Sequence, residues 1–309
     1  MLGLALATSN APSMYRPRKD WQALYQSQIK EGITPPNEIE GETDEVIDQY
    51  IARIDKAQQV LRGQIEAYKP HVIVVIGYDD GTCFSNVQVP QFCTYTGNEL
   101  RGSASLSALG EAPLANQVAL PCNSDFAWEV HSALVDRGFD VSYMSTQNPL
   151  GNPEMGTSSA FTRPGLGVLK ALDIPLVPIF INCHVEPAPP GARCHALGMA
   201  LGEILEESPA KVAVLAVGGL SHDPNGDRSG WIDNRLDKWV LDHLAKGDTQ
   251  RLKTLFDLDS DTLRGGTGQI RTWIAAGAAA ETKKGRATVV DYIPSLRAIT
   301  GLAFAYWAL

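Results

Sequence analysis

The chain has 309 residues, a formal net charge of -9 at pH 7 and 44% hydrophobic residues. That length gives room for one large α/β domain or two small ones around a real core. The acidic balance excludes a surface built to hold nucleic acid or an anionic membrane, since either would need clustered Lys and Arg. No run approaches the roughly 18 apolar residues of a spanning helix, and the opening MLGLALATSNA lacks the basic start of a signal peptide. A cytoplasmic protein is expected. The five cysteines (Cys83, Cys93, Cys122, Cys183, Cys194) are odd in number and form no CxxC pair. Neither a disulfide framework nor a structural zinc site is indicated, and buried thiols are expected.

In chain order, the apolar run Leu2 to Ala7 predicts a buried strand that ends in the polar corner Thr8-Ser9-Asn10-Ala11-Pro12. A helix is predicted over Thr43 to Tyr68, where Val46, Ile47, Tyr50, Ile51, Ile54, Val60 and Leu61 recur near helical spacing. HVIVVIG (71–77) predicts a second strand, followed by Tyr78-Asp79-Asp80, and Ser124 to Arg137 a helix. IPLVPIFI (174–181) predicts a third strand, running into Asn182-Cys183-His184, with a helix over Arg193 to Leu205 behind it. KVAVLAVG (211–218) predicts a fourth strand, which opens into Gly218-Gly219-Leu220-Ser221-His222. Helices over Ile232 to Leu244 and Gln269 to Ala279 complete the pattern. Strands alternating with helices, with no internal repeat or linker, predict a single α/β domain over 1–309. Its sheet is expected to be mostly parallel and covered by helices on both faces.

Ligands of open α/β sheets bind beyond the carboxyl ends of the strands, so the polar corners are expected to converge on one pocket. In GGLSH two glycines permit a tight turn, and His222 at the strand mouth either exchanges protons with a substrate, caps the next helix or is satisfied in the core. Asp79-Asp80 reads as a carboxylate pair or as a turn capped by Asp before Gly81, and the turn is favoured. Cys183 and His184, adjacent on an extended segment, point to opposite faces and make a poor nucleophile-base pair. Cys194-His195 reads as packing and surface; His71, His131 and His243 read as structural. Gly265-Gly266-Thr267-Gly268 lacks the Lys-Ser/Thr end of a P-loop and is read as a turn that aims Gln269 inward.

Taken together, ATSNAPSM, VIVVIGYDDGTCF, VPIFINCHVEPAPPGARCHALG, VGGLSHDPNGDRSGWIDNRLDKWVLDHL, LRGGTGQIRTWIAAGAAA and VVDYIPSLRAITGLAFAYW resemble the class III extradiol ring-cleavage dioxygenases. This is the family of the catalytic β subunit of protocatechuate 4,5-dioxygenase. The resemblance implies an iron(II) site of two histidines and one glutamate with open positions for a catecholate and dioxygen. It also implies that Asn10, Asp80 and Gln269 stand at those three ligand positions. Two neutral amides and one carboxylate are a poor donor set for iron(II), and an oxygen set of this kind would hold a hard cation only loosely. A further family histidine that touches substrate or oxygen is matched by Met155, or by Ser159 if the gap shifts. The acid-base histidine is matched by His222.

The expected function is therefore that of a metal-free relative. It would bind a small aromatic or phenolic compound and act on it by non-oxidative acid-base chemistry through His222, with no cofactor. Asn10, Asp80, His184, Gln269, Tyr15, Met155 and Arg297 are the expected substrate-binding residues. Two alternatives remain open: a non-catalytic subunit paired with an active paralogue, and an iron(II)-dependent dioxygenase with substitute ligands such as His184 and His222. A homodimer or a complex with a paralogous subunit is expected.

Overall fold

A computed structural model describes residues 1–85 and 88–309. Its strands are β1 (Leu2–Thr8), β2 (Val72–Tyr78), β3 (Phe92–Tyr95), β4 (Glu99–Ser103), β5 (Gln117–Pro121), β6 (Ser142–Met144), β7 (Leu176–Ile181), β8 (Val212–Val217), β9 (Thr288–Ser295) and β10 (Thr300–Ala308). The helices are α1 (Arg18–Gln28), α2 (Asp44–Tyr68), α3 (Ser124–Asp136), α4 (Ser159–Thr162), α5 (Gly191–Glu207), α6 (Asn234–Lys246) and α7 (Ile270–Glu281).

The main sheet runs β6-β3-β7-β2-β8-β1-β10-β9, and β4 pairs with β5 in a separate two-stranded sheet. Its centre, β7-β2-β8-β1, is parallel throughout. These are the four strands expected from the sequence. Every residue of β2, β7 and β8 is buried, as it must be when helices cover both faces of a parallel sheet. The flanks are different: β10 runs antiparallel to β1, β9 antiparallel to β10, and β3 antiparallel to β7. Sequence periodicity gave no sign of them. β6 has only three residues, and β9 carries Asp291 and Pro294, which suit an edge strand and blur the apolar signal.

The helices follow from their apolar stripes. In α2 the buried side chains Ile47, Ile54, Ala57, Leu61 and Ile65 fall on one face. Full burial of each of the larger ones contributes on the order of 1.5–3 kcal/mol. From Ile270 to Ala280 every residue of α7 is buried, and its run of alanines lets it lie close against α5. That packing fixes the start of α7, and therefore the position of Gln269. All five cysteines are buried and free. No helix among the described residues is long and apolar enough to cross a membrane.

Candidate active site

Four corners meet at the carboxyl edge of the parallel strands. Asn10 follows β1, Asp80 follows β2, His184 follows β7, and Gly219 and His222 follow β8. With Gln269 from the start of α7, they line one cavity of about 420 Å³. The far wall comes from α1, through Leu24, Ser27 and Gln28, and from a short turn at Leu106, Ser107 and Ala108. The loop after His222 closes on α1 where the Asn225 N–H donates to the Gln28 carbonyl at 2.7 Å.

The β8 corner can be made only with glycine. Gly218 has φ 123° and Gly219 φ 62°, and a Cβ on Gly218 would sit 2.8 Å from the Tyr78 ring and 2.9 Å from Gln269 Oε1. The indole N–H of Trp273 on α7 donates to the Gly218 carbonyl at 2.7 Å and holds the turn against the helix. Four residues after Gly218, the His222 backbone is clamped by Thr267: its N–H donates to Thr267 Oγ1 at 3.1 Å, and its carbonyl accepts the Thr267 N–H at 2.9 Å. On the other side, Ser221 gives its N–H and hydroxyl to the two carboxylate oxygens of Asp237, at 2.9 and 2.8 Å. Asp237 is fully buried and also accepts the Tyr292 hydroxyl at 2.8 Å; burial pushes its carboxyl up to about 7.

The His222 ring is oriented by the Leu220 carbonyl, 2.9 Å from Nδ1. A carbonyl only accepts, so Nδ1 carries the proton and Nε2 keeps its lone pair. Nε2 makes no hydrogen bond to another described residue. Burial pushes this imidazole down to about 4; the Leu220 carbonyl opposes the shift, and His184 and Arg163 add to it. At neutral pH the ring is therefore uncharged and able to accept a proton.

Gln269 and His184 form a second fixed pair. Gln269 Oε1 accepts the Gly219 N–H at 2.8 Å, which assigns the amide, because a backbone N–H only donates. Its NH₂ group then faces His184 Nε2 at 3.2 Å, so that nitrogen must be the acceptor. The His184 ring also stacks on Tyr78, with centroids 5.2 Å apart and planes at 16°. Desolvation against its neighbours lowers the His184 pKa, opposed by Asp80.

Asn10 is held in the same way. Its NH₂ donates to the Tyr78 hydroxyl at 2.9 Å and reaches Ser159 Oγ at 3.5 Å, while Oδ1 accepts the Tyr15 hydroxyl at 3.4 Å. Burial raises the pKa of both tyrosines, which keeps their hydroxyls protonated, Tyr15 as a donor to Asn10 and Tyr78 as the neutral acceptor of its NH₂. Asp80 accepts the Thr82 hydroxyl at 2.8 Å and the Ser159 N–H at 3.2 Å. Its neighbour Asp79 is the turn cap: its carboxylate accepts N–H groups from Gly81, Cys83 and Phe84.

These residues do not fit an iron(II) centre. Two of the three implied ligands are amides whose oxygens already accept protein N–H or O–H groups. The third is a single carboxylate. No group of three or more His, Cys, Asp or Glu among the described residues is arranged to hold a metal ion.

Not every expected contact is present. Tyr15 supports Asn10 from behind and is absent from the cavity wall. Met155 does not line the cavity; its backbone carbonyl accepts the Ser103 N–H at 2.8 Å, and Ser159 occupies the wall instead. Arg297 also lies elsewhere. It sits in the turn between β9 and β10, bonded to Gln22 at 2.5 Å and stacked over the Tyr25 ring. Cys183 is buried with its thiol pushed up by burial, which removes it as a nucleophile. His195 is buried, not on the surface, and pairs with Thr249 Oγ1 at 2.9 Å.

Sequence reasoning passed over Arg163 and Asp237. Arg163 follows α4 in a stretch without periodicity and gave no signal. Asp237 shares the buried face of α6 with Val240, Leu241 and Leu244; a carboxylate at core spacing was a readable sign.

Comparison with known proteins agrees with this architecture. The crystal structure of the uncharacterized protein JW3007 from Escherichia coli K12 superposes with a TM-score of 0.54 at 12% identity, covering 98% of this chain and 99% of that one. The 2,3-dihydroxyphenylpropionate/2,3-dihydroxicinnamic acid 1,2-dioxygenase of Photorhabdus laumondii is 31% identical over 184 residues, 59% of this chain and 53% of that enzyme. Its Comamonas testosteroni counterpart is 31% identical over 177 residues, 55% of this chain and 49% of that enzyme. The match thus spans about half the length of these relatives. The family model described as the catalytic LigB subunit of aromatic ring-opening dioxygenase matches residues 36–302, and on that extent the chain belongs to the class III extradiol dioxygenase family.

Proposed function

We propose that this chain binds a small phenolic or aromatic acid in the cavity at the sheet edge and acts on it by proton transfer through His222, without iron. One observation carries the reading: the amides of Asn10 and Gln269 are fixed by hydrogen bonds within the protein, beside a neutral His222 whose Nε2 is unengaged. The names of the curated relatives support the substrate type, an aromatic ring with an acidic side chain.

In this mechanism Nε2 of His222 takes a proton from the substrate, at a phenol hydroxyl or an acidic carbon, and returns it later in the cycle. The Leu220 carbonyl holds Nδ1–H and stabilises the imidazolium formed. Thr267 and the Ser221–Asp237 pair keep the ring in register. Asp80 accepts a hydrogen bond from a second substrate hydroxyl, and the His184–Tyr78 stack gives the ring a flat wall. Hydrolysis, C–C cleavage, decarboxylation and tautomerisation all suit a residue that can act as general acid or base.

The test is incubation of the purified protein with a panel of phenolic acids, followed by NMR and an oxygen electrode. Conversion or solvent-proton exchange without oxygen uptake, lost in His222→Gln, is the expected result. Oxygen-consuming ring opening by protein that retains stoichiometric iron would overturn the proposal in favour of a dioxygenase. Absence of both binding and conversion across the panel would favour a non-catalytic subunit.

A further inference from the structure

Among the described residues, Arg163 is the only Lys or Arg on the wall of the candidate cavity. It stands where α4 ends and a short turn at Pro164–Leu166 begins, so its backbone is set by structured chain on both sides. Guanidinium Nη1 donates to the Asn10 carbonyl at 2.8 Å. This bond points the head group across the β1 corner and fixes it there. No carboxylate lies within ion-pair distance of it among the described residues, whereas Arg16, Arg53 and Arg62 each pair with one. Its remaining N–H donors bond no described residue. Asp80, the single acid of the cavity among the described residues, bonds Thr82 and the Ser159 N–H rather than Arg163.

A fixed, half-buried guanidinium with spare donors and no counter-ion, at the wall of a cavity sized for a small molecule, calls for an anion. Asp80 and His222 present acceptor atoms at other parts of the same wall. The cavity thus offers a cation for an anionic group and acceptors for a hydroxyl. We infer that Arg163 is the specificity-determining residue of this site, pairing with the carboxylate of the substrate while its hydroxyl faces Asp80 and His222. The inference rests on the proposed phenolic ligand but not on turnover. A bracing role for the Asn10 corner alone would make Arg163 indifferent to ligand charge, and the two roles separate experimentally.

The experiment is calorimetric titration with 4-hydroxyphenylacetate and with its neutral, near-isosteric amide, 4-hydroxyphenylacetamide. The probes differ in charge and share the phenol. In the wild type the acid is expected to bind about tenfold more tightly than the amide, as expected of a charge-assisted pair. Added salt should narrow the gap. Arg163→Met should erase the preference by weakening the acid and leaving the amide unchanged, and Arg163→Lys should restore part of it. Equal binding of the two probes by the wild type, a measurement that needs no variant to fold, would overturn the inference and leave the cavity reading standing. Parallel loss of both probes in Arg163→Met would assign Arg163 to bracing and overturn it as well. Failure of both probes to bind the wild type would overturn the cavity reading, and this assignment with it.

Discussion

The side-chain oxygen of Gln269 accepts the backbone N–H of Gly219 at 2.8 Å, and its NH₂ group meets His184 Nε2 at 3.2 Å. One amide thus joins the β8 corner to the β7 corner, and it does so only because it has both an acceptor and a donor. In Gln269→Glu the acceptor for Gly219 survives and the donor is lost. His184 Nε2 would then face a carboxylate and should take up a proton to bond it. The expected outcome is a rise of the His184 pKa above its lowered wild-type value, followed by histidine-selective NMR titration. An unchanged His184 titration would refute the assigned hydrogen-bond direction.

Metal content follows from the donor set. Wild-type protein is expected to hold much less than one equivalent of iron after dialysis. The combined variant Asn10→His, Asp80→His, Gln269→Glu supplies two imidazoles and a carboxylate, the donors that iron(II) prefers. Elemental analysis and calorimetry with iron(II) under anaerobic conditions should show binding in the variant. The affinity should be modest, because the surrounding hydrogen bonds were built around amides.

The placement of the His222 ring can be tested without changing the residue. A Cβ added at Gly266 would fall 2.1 Å from His222 Nε2. Gly266→Ala should therefore displace the ring and cut turnover of an identified substrate by roughly a hundredfold, the scale of losing a positioned proton carrier. Binding of the same substrate should fall much less, which steady-state kinetics beside calorimetry would reveal.

Acid should destabilise the protein through its histidines. Burial pushes His222 and His195 down to about 4 and lowers His184 and His131 as well. Each binds fewer protons folded than unfolded below the ordinary histidine value near 6.5, and for His222 and His195 that window reaches down to about pH 4. Their contribution is present above that value and is lost as pH falls through the folded values. The melting temperature should decline between pH 7 and 4.5, and His195→Asn should flatten the slope.

Asp237 is expected to be structural first and functional through its neighbour. Asp237→Ala leaves the Ser221 N–H, the Ser221 hydroxyl and the Tyr292 hydroxyl without their buried acceptor. A loss on the order of 3 kcal/mol is expected, measurable by urea unfolding. Asp237→Asn, which keeps an acceptor, should lose less.

The four central strands were legible because each is an unbroken apolar run that helices must cover. The pocket was legible because a polar corner follows each run: Asn10, Asp80, His184 and His222 could be placed together from that rule alone. Arg297 was misplaced for a related reason. It lies in the turn of a hairpin whose strands had not been recognised, so nothing fixed the direction in which it leaves the sheet. Met155 lies in an irregular loop, where spacing carries no geometric meaning. Arg163 escaped notice because its role depends on a carbonyl 153 residues away in the chain.

The start of β10 touches both sides of the pocket. Ser9, next to Asn10, exchanges hydrogen bonds with Ala303. Leu220 and Ser221, next to His222, exchange theirs with Gly301. A chain cut ahead of Thr300 would keep all four parallel strands and every residue of the pocket wall but Thr300, yet beyond the bond from the Gly218 N–H to the Thr8 carbonyl the two corners would lose the strand that braces both. The capacity to bind a ligand should therefore appear only once β10 has joined the central sheet. A ligand that grips both corners would act as a late clasp on the nascent chain.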